Sequence, residues 1–496
     1  MGIAPLYYRE IEGLEFVSSS CMLLASLHAA KLDYTGVMEF IFTGKHFEDR
    51  TLFQNIKKLN PASIYEFCPQ KNKIIQYWDM HYGKRDHRLS QNDKIELLKY
   101  EMGKIDRGIN SIYSNPYIDL TGGWDSRVNI LSLNTCISNI VSTTSGFKTD
   151  NDVVIAKQIA RILGLKHNQS TPYLSSSTFS QENYIDLLEK SIFMTDGCMS
   201  APLYAHTLNT QKANREMGCD VTINGSGGEL YRQYWWEPSY FIYSDFKKLN
   251  FSITGKTKFF NDYQLAKRVI TQNSFSSIFN KSFPVDIYNH MYNLFKKLNK
   301  PYGEICNIDQ ISNVYLNYRM KNWLAGYYSA TLRMNDCLSP LLMKGPLNVS
   351  MELSFKDKFF NSFLRKYITD RNYTVSNLNL ETHAPTLPIS CKNINRFVPA
   401  VSLTFSKTIK KIIEKTGFVS LPHSRKQIKK STENPNLEII RSAHLLRPEK
   451  MKLIDIFEMK GLKTFISDYQ NNAAFPYKEQ YENIFTIESI LERIVM

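Results

Sequence analysis

The stretch that decides the fold is Pro116-Tyr-Ile-Asp-Leu-Thr-Gly-Gly-Trp-Asp-Ser-Arg127. Its first five residues form a short apolar run typical of a strand, and Thr121-Gly-Gly ends that run abruptly. The apolar run Val128 to Leu133 follows at once and predicts a helix. Two glycines let the backbone turn tightly and approach a ligand, while the amides at the helix start point at an anion. The stretch therefore predicts a strand, a phosphate-facing turn and a helix.

The polar side chains of this turn fit a nucleotide site. The hydroxyls of Thr121 and Ser126 can donate to phosphate oxygens, and Asp125 can hold a magnesium ion that bridges them. A glycine pair after a strand is also common as an ordinary turn, so the motif alone leaves both interpretations open.

A second motif repeats this arrangement. The strand-like run Asp220-Val-Thr-Ile-Asn224 enters Gly225-Ser-Gly-Gly-Glu229, which has three glycines and one carboxylate. A purely structural loop is the alternative here too. Taken together, Asp125 and Glu229 are the two hard oxygen ligands that a magnesium-nucleotide site usually takes from a protein.

Strands and helices alternate around these motifs. Residues 139–144 resemble a second strand, and Asp152 to Leu163 carries apolar residues on one helical face. This alternation predicts an α/β fold with a parallel sheet covered on both sides by helices and ligands at the carboxyl ends of the strands. Short strand-like segments between Leu14 and Trp78 predict a small α+β unit, and the chain from about Ser239 onward is mostly helical in pattern.

Composition limits the class of protein. The chain has 496 residues, 43% of them hydrophobic, so it can bury sizeable cores. Its net charge of +14 is spread along the chain, and the densest basic stretch, Lys407 to Lys430, is interleaved with apolar residues, which favours solvated surfaces over a nucleic-acid site. The eight cysteines form no C-x-x-C pair, and no apolar run is long enough to cross a membrane. We expect a cytoplasmic protein with reduced thiols.

The order of the motifs resembles the asparagine synthetase family, whose synthetase domain is an N-type ATP pyrophosphatase. Thr121 to Ser126 is similar to the family's Ser-Gly-Gly-x-Asp-Ser pyrophosphate loop, with Thr in place of the first Ser. Ser145-Gly-Phe, Asp150-Asn-Asp and Leu163-Gly-Leu-Lys-His167 follow in the family's order. Gly225 to Glu229 is similar to Gly-x-Gly-x-Asp, with Glu229 in place of the magnesium-binding Asp.

This resemblance implies an adenine-nucleotide α-hydrolase-like fold in three parts. Residues 1–85 resemble a truncated glutaminase-like remnant of the Ntn type, because Gly2-Ile-Ala-Pro-Leu-Tyr-Tyr-Arg9 matches the middle of that domain. Residues 90–390 would form the ATP pyrophosphatase domain, and 391–496 its helical C-terminal extension. Without the family's catalytic N-terminal cysteine, this chain alone is not expected to hydrolyse glutamine.

The resemblance also implies a function, namely an ATP-dependent carbon-nitrogen ligase. It would activate a carboxylate as an acyl-adenylate, release pyrophosphate and form an amide with release of AMP, using ATP and Mg²⁺. Asp125 and Glu229 would be the catalytic metal ligands, and Ser145 and Gly146 would lie against adenine. The residues expected to bind ATP and pyrophosphate are Leu120, Thr121, Gly122, Gly123, Asp125, Ser126, Ser145, Gly146, Asn224 and Gly225.

The substrates stay open at this point. The resemblance implies a small-molecule or peptide carboxylate, ammonia or another amine as acceptor, and a glutaminase as a potential partner. Ser226 stands where amide-forming members often have Glu or, in the lactam-forming branch, Tyr, and the family's reaction-centre lysine falls near Asn379 to Glu381. Lys366 and Lys392 are the nearby candidates. The alternatives are an enzyme of the same fold that modifies RNA or another substrate, and a non-catalytic binding protein of this type.

Three aromatic residues receive ordinary interpretations. His167 is expected at the end of a helix, as a cap or packing residue rather than a catalytic one. Trp235 and Trp236 are expected in the core rather than in a substrate pocket.

Overall fold

The structure is a computed structural model that describes residues 2–68, 72–79, 86, 88–133, 139–232, 278–280, 286–299, 312–313, 315–381, 383–400, 402, 436–472 and 474–494. Trp235, Trp236 and the basic stretch Lys407 to Lys430 lie outside these residues.

The N-terminal unit contains a three-stranded antiparallel sheet, a hairpin and two helices. Its elements are β1 (Tyr7–Ile11), β2 (Leu14–Ser18), α1 (Cys21–Ser26), α2 (Tyr34–Thr43), β3 (Ile56–Lys58), β4 (Ser63–Glu66) and β5 (Lys73–Gln76). The sheet has the order β2-β1-β3, and β4 pairs with β5. α2 begins where the Asp33 carboxylate accepts hydrogen bonds from the amides of Thr35 and Gly36, and it ends at Gly44, whose φ of 71° suits glycine.

A parallel sheet forms the centre of the molecule. Its strands and the helices around them are α3 (Gln91–Ile112), β6 (Pro116–Asp119), α4 (Trp124–Ser132), β7 (Val141–Ser145), α5 (Asn151–Leu163), β8 (Lys166–Ser170), α6 (Gln181–Thr195), α7 (Ala201–Glu216), β9 (Val221–Ile223) and β10 (Asp336–Leu338). The described strands form a five-stranded sheet in the order β10-β9-β6-β7-β8, and every pairing is parallel. The predicted α/β class is confirmed.

The strand order contains a point at which the direction of the chain reverses. The chain runs from β6 through β7 to β8 on one side and then returns to β9 on the other side of β6. Ligands of open α/β sheets bind outside the carboxyl ends of the strands at such a point. The two glycine-rich segments follow β6 and β9, the strands that flank it.

In the part of the chain after β9 that the structure describes, most residues are helical, as the sequence predicts. The described helices are Ile287–Asn299, the π-helical Tyr315–Leu324, Ala325–Leu332, Lys344–Glu352, Phe355–Lys358, Ser362–Arg371, Tyr373–Asn377, Leu437–Ser442, Met459–Asn471 and Lys478–Leu491. Short 3₁₀ turns cover Tyr173–Ser175, Gly228–Tyr231, Pro340–Leu342, Phe359–Asn361, Ile394–Phe397, Pro448–Lys450 and Ile454–Ile456.

Helical periodicity explains how α5 covers the sheet. Val153, Ala156 and Ile159 lie on one face and are fully buried, as their spacing predicts. The helix ends at Gly164, whose φ is 67°, and the chain then enters β8. His167 therefore lies in a strand and not at a helix end. The expectation that it caps a helix is wrong, because the left-handed glycine ends α5 three residues before it.

Two large hydrophobic clusters hold the fold together. One joins the N-terminal unit to α6, α7 and the C-terminal helices through residues such as Phe40, Leu187 and Ile484. The other packs α4 and the helix Ser362–Arg371 on the sheet, with Ile118 and Val128 among its members. Each cluster brings together residues far apart in sequence, and burial of this apolar surface is the main source of stability. Among the described residues, no helix is both long and apolar enough to cross a bilayer.

Candidate active site

The first glycine loop, residues 120–123, connects β6 to α4. Ser126 fixes its shape, because its hydroxyl accepts a hydrogen bond from the Thr121 amide at 3.2 Å and donates to the Thr121 carbonyl at 3.1 Å. α4 begins after Gly123, and no side chain caps its first amides. Uncapped amides at a helix start, together with the helix dipole, form a site for an anion.

The second glycine loop, residues 224–228, packs directly on the first turn of α4. The Asn129 side chain donates to the Asn224 carbonyl at 2.8 Å and joins the two segments. A Cβ atom on Gly225 would lie 3.1 Å from Asp125 Cβ, and one on Gly228 would collide with the Asp125 carboxylate. Glycine is required at position 228 for this close approach.

The Asp125 carboxylate lies between the two loops and is paired with an arginine. Arg232 donates from Nη2 to Oδ2 at 2.8 Å and from Nε to Oδ1 at 3.2 Å. Burial raises the pKa of Asp125 to about 6, and the nearby charge of Glu229 acts in the same direction, whereas Arg232 opposes both. The sequence motifs do not reveal the role of Arg232. The sequence offers one indication of this role, because Arg232 follows the expected metal ligand Glu229 by three residues.

Glu229 is the second carboxylate, at the start of the 3₁₀ turn Gly228–Tyr231. Its Oε2 atom is buried and has no hydrogen-bond partner among the described residues. Tyr315 lies beside it, and burial followed by the charge of Glu229 raises the pKa of the Tyr315 hydroxyl. A buried carboxylate oxygen without a partner is costly, and a bound cation is one way in which a protein satisfies it.

The residues expected to contact adenine lie at the carboxyl end of β7, next to β6. Ser145 shares a hydrogen bond of 3.2 Å with His206 Nε2. Gly146 has a φ of 154°, and its amide donates to the Ser170 carbonyl at 2.9 Å. Asp152 at the start of α5 links this region to the first glycine loop, because it accepts from the Gly122 amide at 2.9 Å. Leu120 is buried and continues the pairing of β6 with β7 through its amide.

Arg127 is a second residue whose role the sequence does not reveal. Its side chain is fully buried, and its guanidinium donates to the carbonyls of Gly122, Leu378 and Asn379 at 3.2, 2.9 and 2.8 Å. Burial lowers the pKa of Arg127 to about 10. Arg127 therefore ties the first glycine loop to the segment in which the family's lysine would fall.

The two candidate lysines do not reach the carboxylates. Lys366 donates to Asn92 at the start of α3, and Lys392 is exposed. Neither forms a hydrogen bond or ion pair with Asp125 or Glu229 in the described part of the chain. His167 lies within β8, where it shares a 3.0 Å hydrogen bond with Ser142, and burial lowers its pKa.

The two loops therefore bring Asp125, Glu229 and Arg232 together at the carboxyl ends of β6 and β9. The uncapped start of α4 lies beside them. Two carboxylates suit a hard cation that takes its other ligands from a phosphate and from water. No group of three or more His, Cys, Asp or Glu residues is placed to hold a metal within the described ranges.

The chain has little detectable similarity to known proteins. No family model matches the chain, and no curated protein matches it. Among solved structures, the NMN synthetase from Francisella tularensis is similar at 12% sequence identity over 47% of this chain and 94% of that protein, with a TM-score of 0.21. This likeness is too weak to support an argument about function.

Proposed function

We propose that this chain is an ATP-dependent amide-forming ligase that activates a carboxylate as an acyl-adenylate. The observation that carries the proposal is the meeting of two glycine loops, each with one carboxylate, at the reversal point between β6 and β9. Loops that follow adjacent parallel strands at such a point are a common place for nucleotides. The motif order, which resembles that of asparagine synthetases, supplies the reaction type.

Magnesium fits the residues present. Asp125 and Glu229 offer oxygen ligands, and the Oε2 atom of Glu229 is buried without a partner in the described chain. Bound magnesium would neutralise charge on the departing pyrophosphate. Arg232 holds Asp125 in the structure, and a guanidinium released from it would suit a phosphate oxygen equally well.

The protein's own groups would position the reactants. The uncapped amides of α4 and the hydroxyl of Thr121 would hold the β- and γ-phosphates, with Gly122, Gly123 and Ser126 shaping the loop. The substrate carboxylate then attacks the α-phosphorus, and the bond to pyrophosphate breaks. An amine next attacks the acyl carbon, and the bond from this carbon to the oxygen that it shares with phosphorus breaks. AMP leaves with that oxygen, and the amine nitrogen loses one proton to solvent as the amide forms.

The amine that attacks the adenylate has three potential sources. Ammonia, another amine or ammonia from a partner glutaminase would serve as the acceptor. Arg127 would keep the 375–386 segment close to the first loop, where it can help to shield the adenylate from water.

ATP–pyrophosphate exchange tests the function directly. Purified protein is incubated with MgATP, labelled pyrophosphate and one member of a panel of carboxylates, including aspartate, sugar acids and peptides with acidic side chains. We expect exchange with at least one of them and a loss of at least about 100-fold in Asp125→Asn, since one group that stabilises transition-state charge is worth this much. Asp186→Asn, at an exposed position on α6, is the matched control and should keep full exchange.

The outcomes separate the alternatives. ATP binding without exchange for any carboxylate would favour a non-catalytic binding protein. Exchange that requires RNA would favour an RNA-modifying enzyme. Unchanged exchange in Asp125→Asn would remove the assigned site.

A further inference from the structure

A cavity, here called the N-terminal cavity, lies between the N-terminal unit and the rest of the molecule. It has a volume of about 390 Å³, within the range typical of small-molecule sites. Its walls come from β3, from the turn after α6 and from the π-helical segment Tyr315–Leu324. Neither Asp125 nor Glu229 lines it, so it is distinct from the site between the glycine loops.

Three lysines line this cavity without a carboxylate partner. Lys58, Lys321 and Lys344 form no ion pair within 4.0 Å in the described part of the chain. Lys58 donates instead to the carbonyl of His46 at 3.1 Å and to the Asn322 side chain at 3.4 Å. These acceptors are neutral, so the charge of this partly buried ammonium is offset only by the weaker, longer-range effects of Cys198, Glu39 and Asp49.

The acidic residues of the wall are already engaged. Asp196 accepts from the Ser20 hydroxyl and the Cys21 amide at 2.6 Å and lies 3.4 Å from Arg333. Glu48 pairs with Arg50 at 3.7 Å and with Lys297 at 2.5 Å. Both wall carboxylates therefore have closer partners than the three lysines, although the charge of Glu48 still acts on Lys321.

A buried histidine lies in the same wall, with its ring close to the backbone of Gly36 and Gly197. His46 is only 7% exposed, and neither ring nitrogen has a partner in hydrogen-bonding geometry within the described residues. Burial, followed by the charge of Lys58, lowers its pKa to about 3, so the ring is neutral and offers one N–H donor. The ring therefore adds no positive charge to the wall, and the charge of the cavity comes from its lysines.

We propose that this cavity binds a small organic anion, whose carboxylate or phosphate oxygens accept hydrogen bonds from Lys58. Lys321 and Lys344 would add favourable charge at the sides. Tyr65, Tyr77 and Trp78 line another part of the wall and can pack on the apolar or ring portion of the ligand. The site does not depend on the proposed ligase activity.

Binding of an anion should also change the protonation of Lys58. Burial and then the charge of Lys321 lower the pKa of Lys58 to about 8, against the weaker opposite effects of Cys198, Glu39 and Asp49. The neutral ring of His46 faces Lys58 as well. A bound anion favours the charged ammonium and raises this pKa, so binding near pH 8 takes up protons and weakens as the pH rises further.

Isothermal titration with three probes tests the proposal. Inorganic phosphate, succinate and glucuronate are titrated into the full chain at constant ionic strength, which distinguishes a phosphate from a carboxylate ligand. We expect saturable 1:1 binding of at least one probe, at least a tenfold weaker Kd in Lys58→Met, and unchanged Kd in Lys57→Met. Lys57 is the matched control because it lies next to Lys58, is 42% exposed and pairs with Asp49. Lys344→Met, at an exposed position, provides a second test that leaves folding undisturbed.

The result can overturn the proposal in clear ways. No saturable binding up to about 10 mM, or equal Kd values in wild type, Lys58→Met and Lys344→Met, would exclude the site. For succinate at pH 8, heats that vary with buffer ionisation enthalpy should report proton uptake, and their absence would contradict the role of Lys58. Because no ATP is present, and because Asp125→Asn should bind the probe normally, failure here is separate from failure of the ligase function.

Discussion

The guanidinium of Arg232 holds both carboxylate oxygens of Asp125, with Nη2 2.8 Å from Oδ2 and Nε 3.2 Å from Oδ1. Arg232 belongs to the chain that continues directly from the second glycine loop, whereas Asp125 belongs to the first turn of α4. The ion pair therefore locks the two loops together. It also supplies a positive charge where the proposed function requires magnesium.

Removing Arg232 should destabilise the protein most when magnesium is absent. Arg232→Met leaves two partly buried carboxylates, Asp125 and Glu229, without their counter-ion, which we expect to cost about 2 kcal/mol in urea unfolding with EDTA. Millimolar magnesium should reduce this loss, since the cation replaces the guanidinium. Arg88→Met, at an exposed ion pair, is the control. An equal loss with and without magnesium would argue against a metal between these carboxylates.

Gly228 should tolerate no side chain. In Gly228→Ala, the new methyl group collides with the Asp125 carboxylate, so we expect a loss of about 2 kcal/mol in unfolding free energy and loss of ATP–pyrophosphate exchange. Gly108→Ala is a control that should increase the free energy of unfolding instead of lowering it. It lies within α3 with nothing within 4 Å of the new methyl, and should stabilise the protein by about 0.5 to 1 kcal/mol. Thermal unfolding of both variants measures the contrast.

Asp119 should make stability fall as the pH rises from about 4 to 6. Burial raises its pKa to about 6, against the effect of the hydrogen bond from Thr143, so the folded state binds a proton that the unfolded state has already lost. Stability from this protonation is complete below the unfolded value near 3.8 and is lost as the pH rises through 6. We expect about 2 kcal/mol over this window. Urea unfolding at several pH values should show a flatter dependence in Asp119→Asn and an unchanged one in the surface variant Asp186→Asn.

The α/β class and the position of the two loops could be predicted from sequence because they depend on local patterns. The buried face of α5 repeats with helical spacing, and the strand before Thr121 ends at a glycine pair, so no long-range information was needed. Arg127 and Arg232 could not be assigned this way. Their partners, such as Leu378 and Asp125, lie 251 and 107 residues away in sequence. The same limit applies to the N-terminal cavity, which is assembled from segments between Gly2 and Ile490.

Arg127 should determine the order of the segment around Leu378 and Asn379. Arg127→Met leaves several buried carbonyl oxygens without donors, which we expect to cost about 3 kcal/mol. Hydrogen exchange should accelerate selectively in residues 375–386. Arg161→Met, at an exposed position on α5, should change neither quantity. Uniform acceleration across the whole chain would instead indicate a general loss of stability.

Glu229 allows the strongest test of the carboxylate pair, because its charge and its length can be changed separately. Glu229→Gln keeps the size of the side chain and removes its charge, so we expect loss of magnesium-dependent ATP–pyrophosphate exchange comparable to that of Asp125→Asn. Glu229→Asp keeps the negative charge and introduces the residue that stands at this position in the Gly-x-Gly-x-Asp motif of asparagine synthetases. This variant should retain part of the activity. Glu189→Gln, at a surface position on α6, is the control. The magnesium concentration needed for half-maximal exchange should rise in Glu229→Asp and should be unmeasurable in Glu229→Gln. If Glu229→Gln exchanges at the wild-type rate and magnesium requirement, Glu229 is not a metal ligand, and its unpartnered buried oxygen needs another explanation.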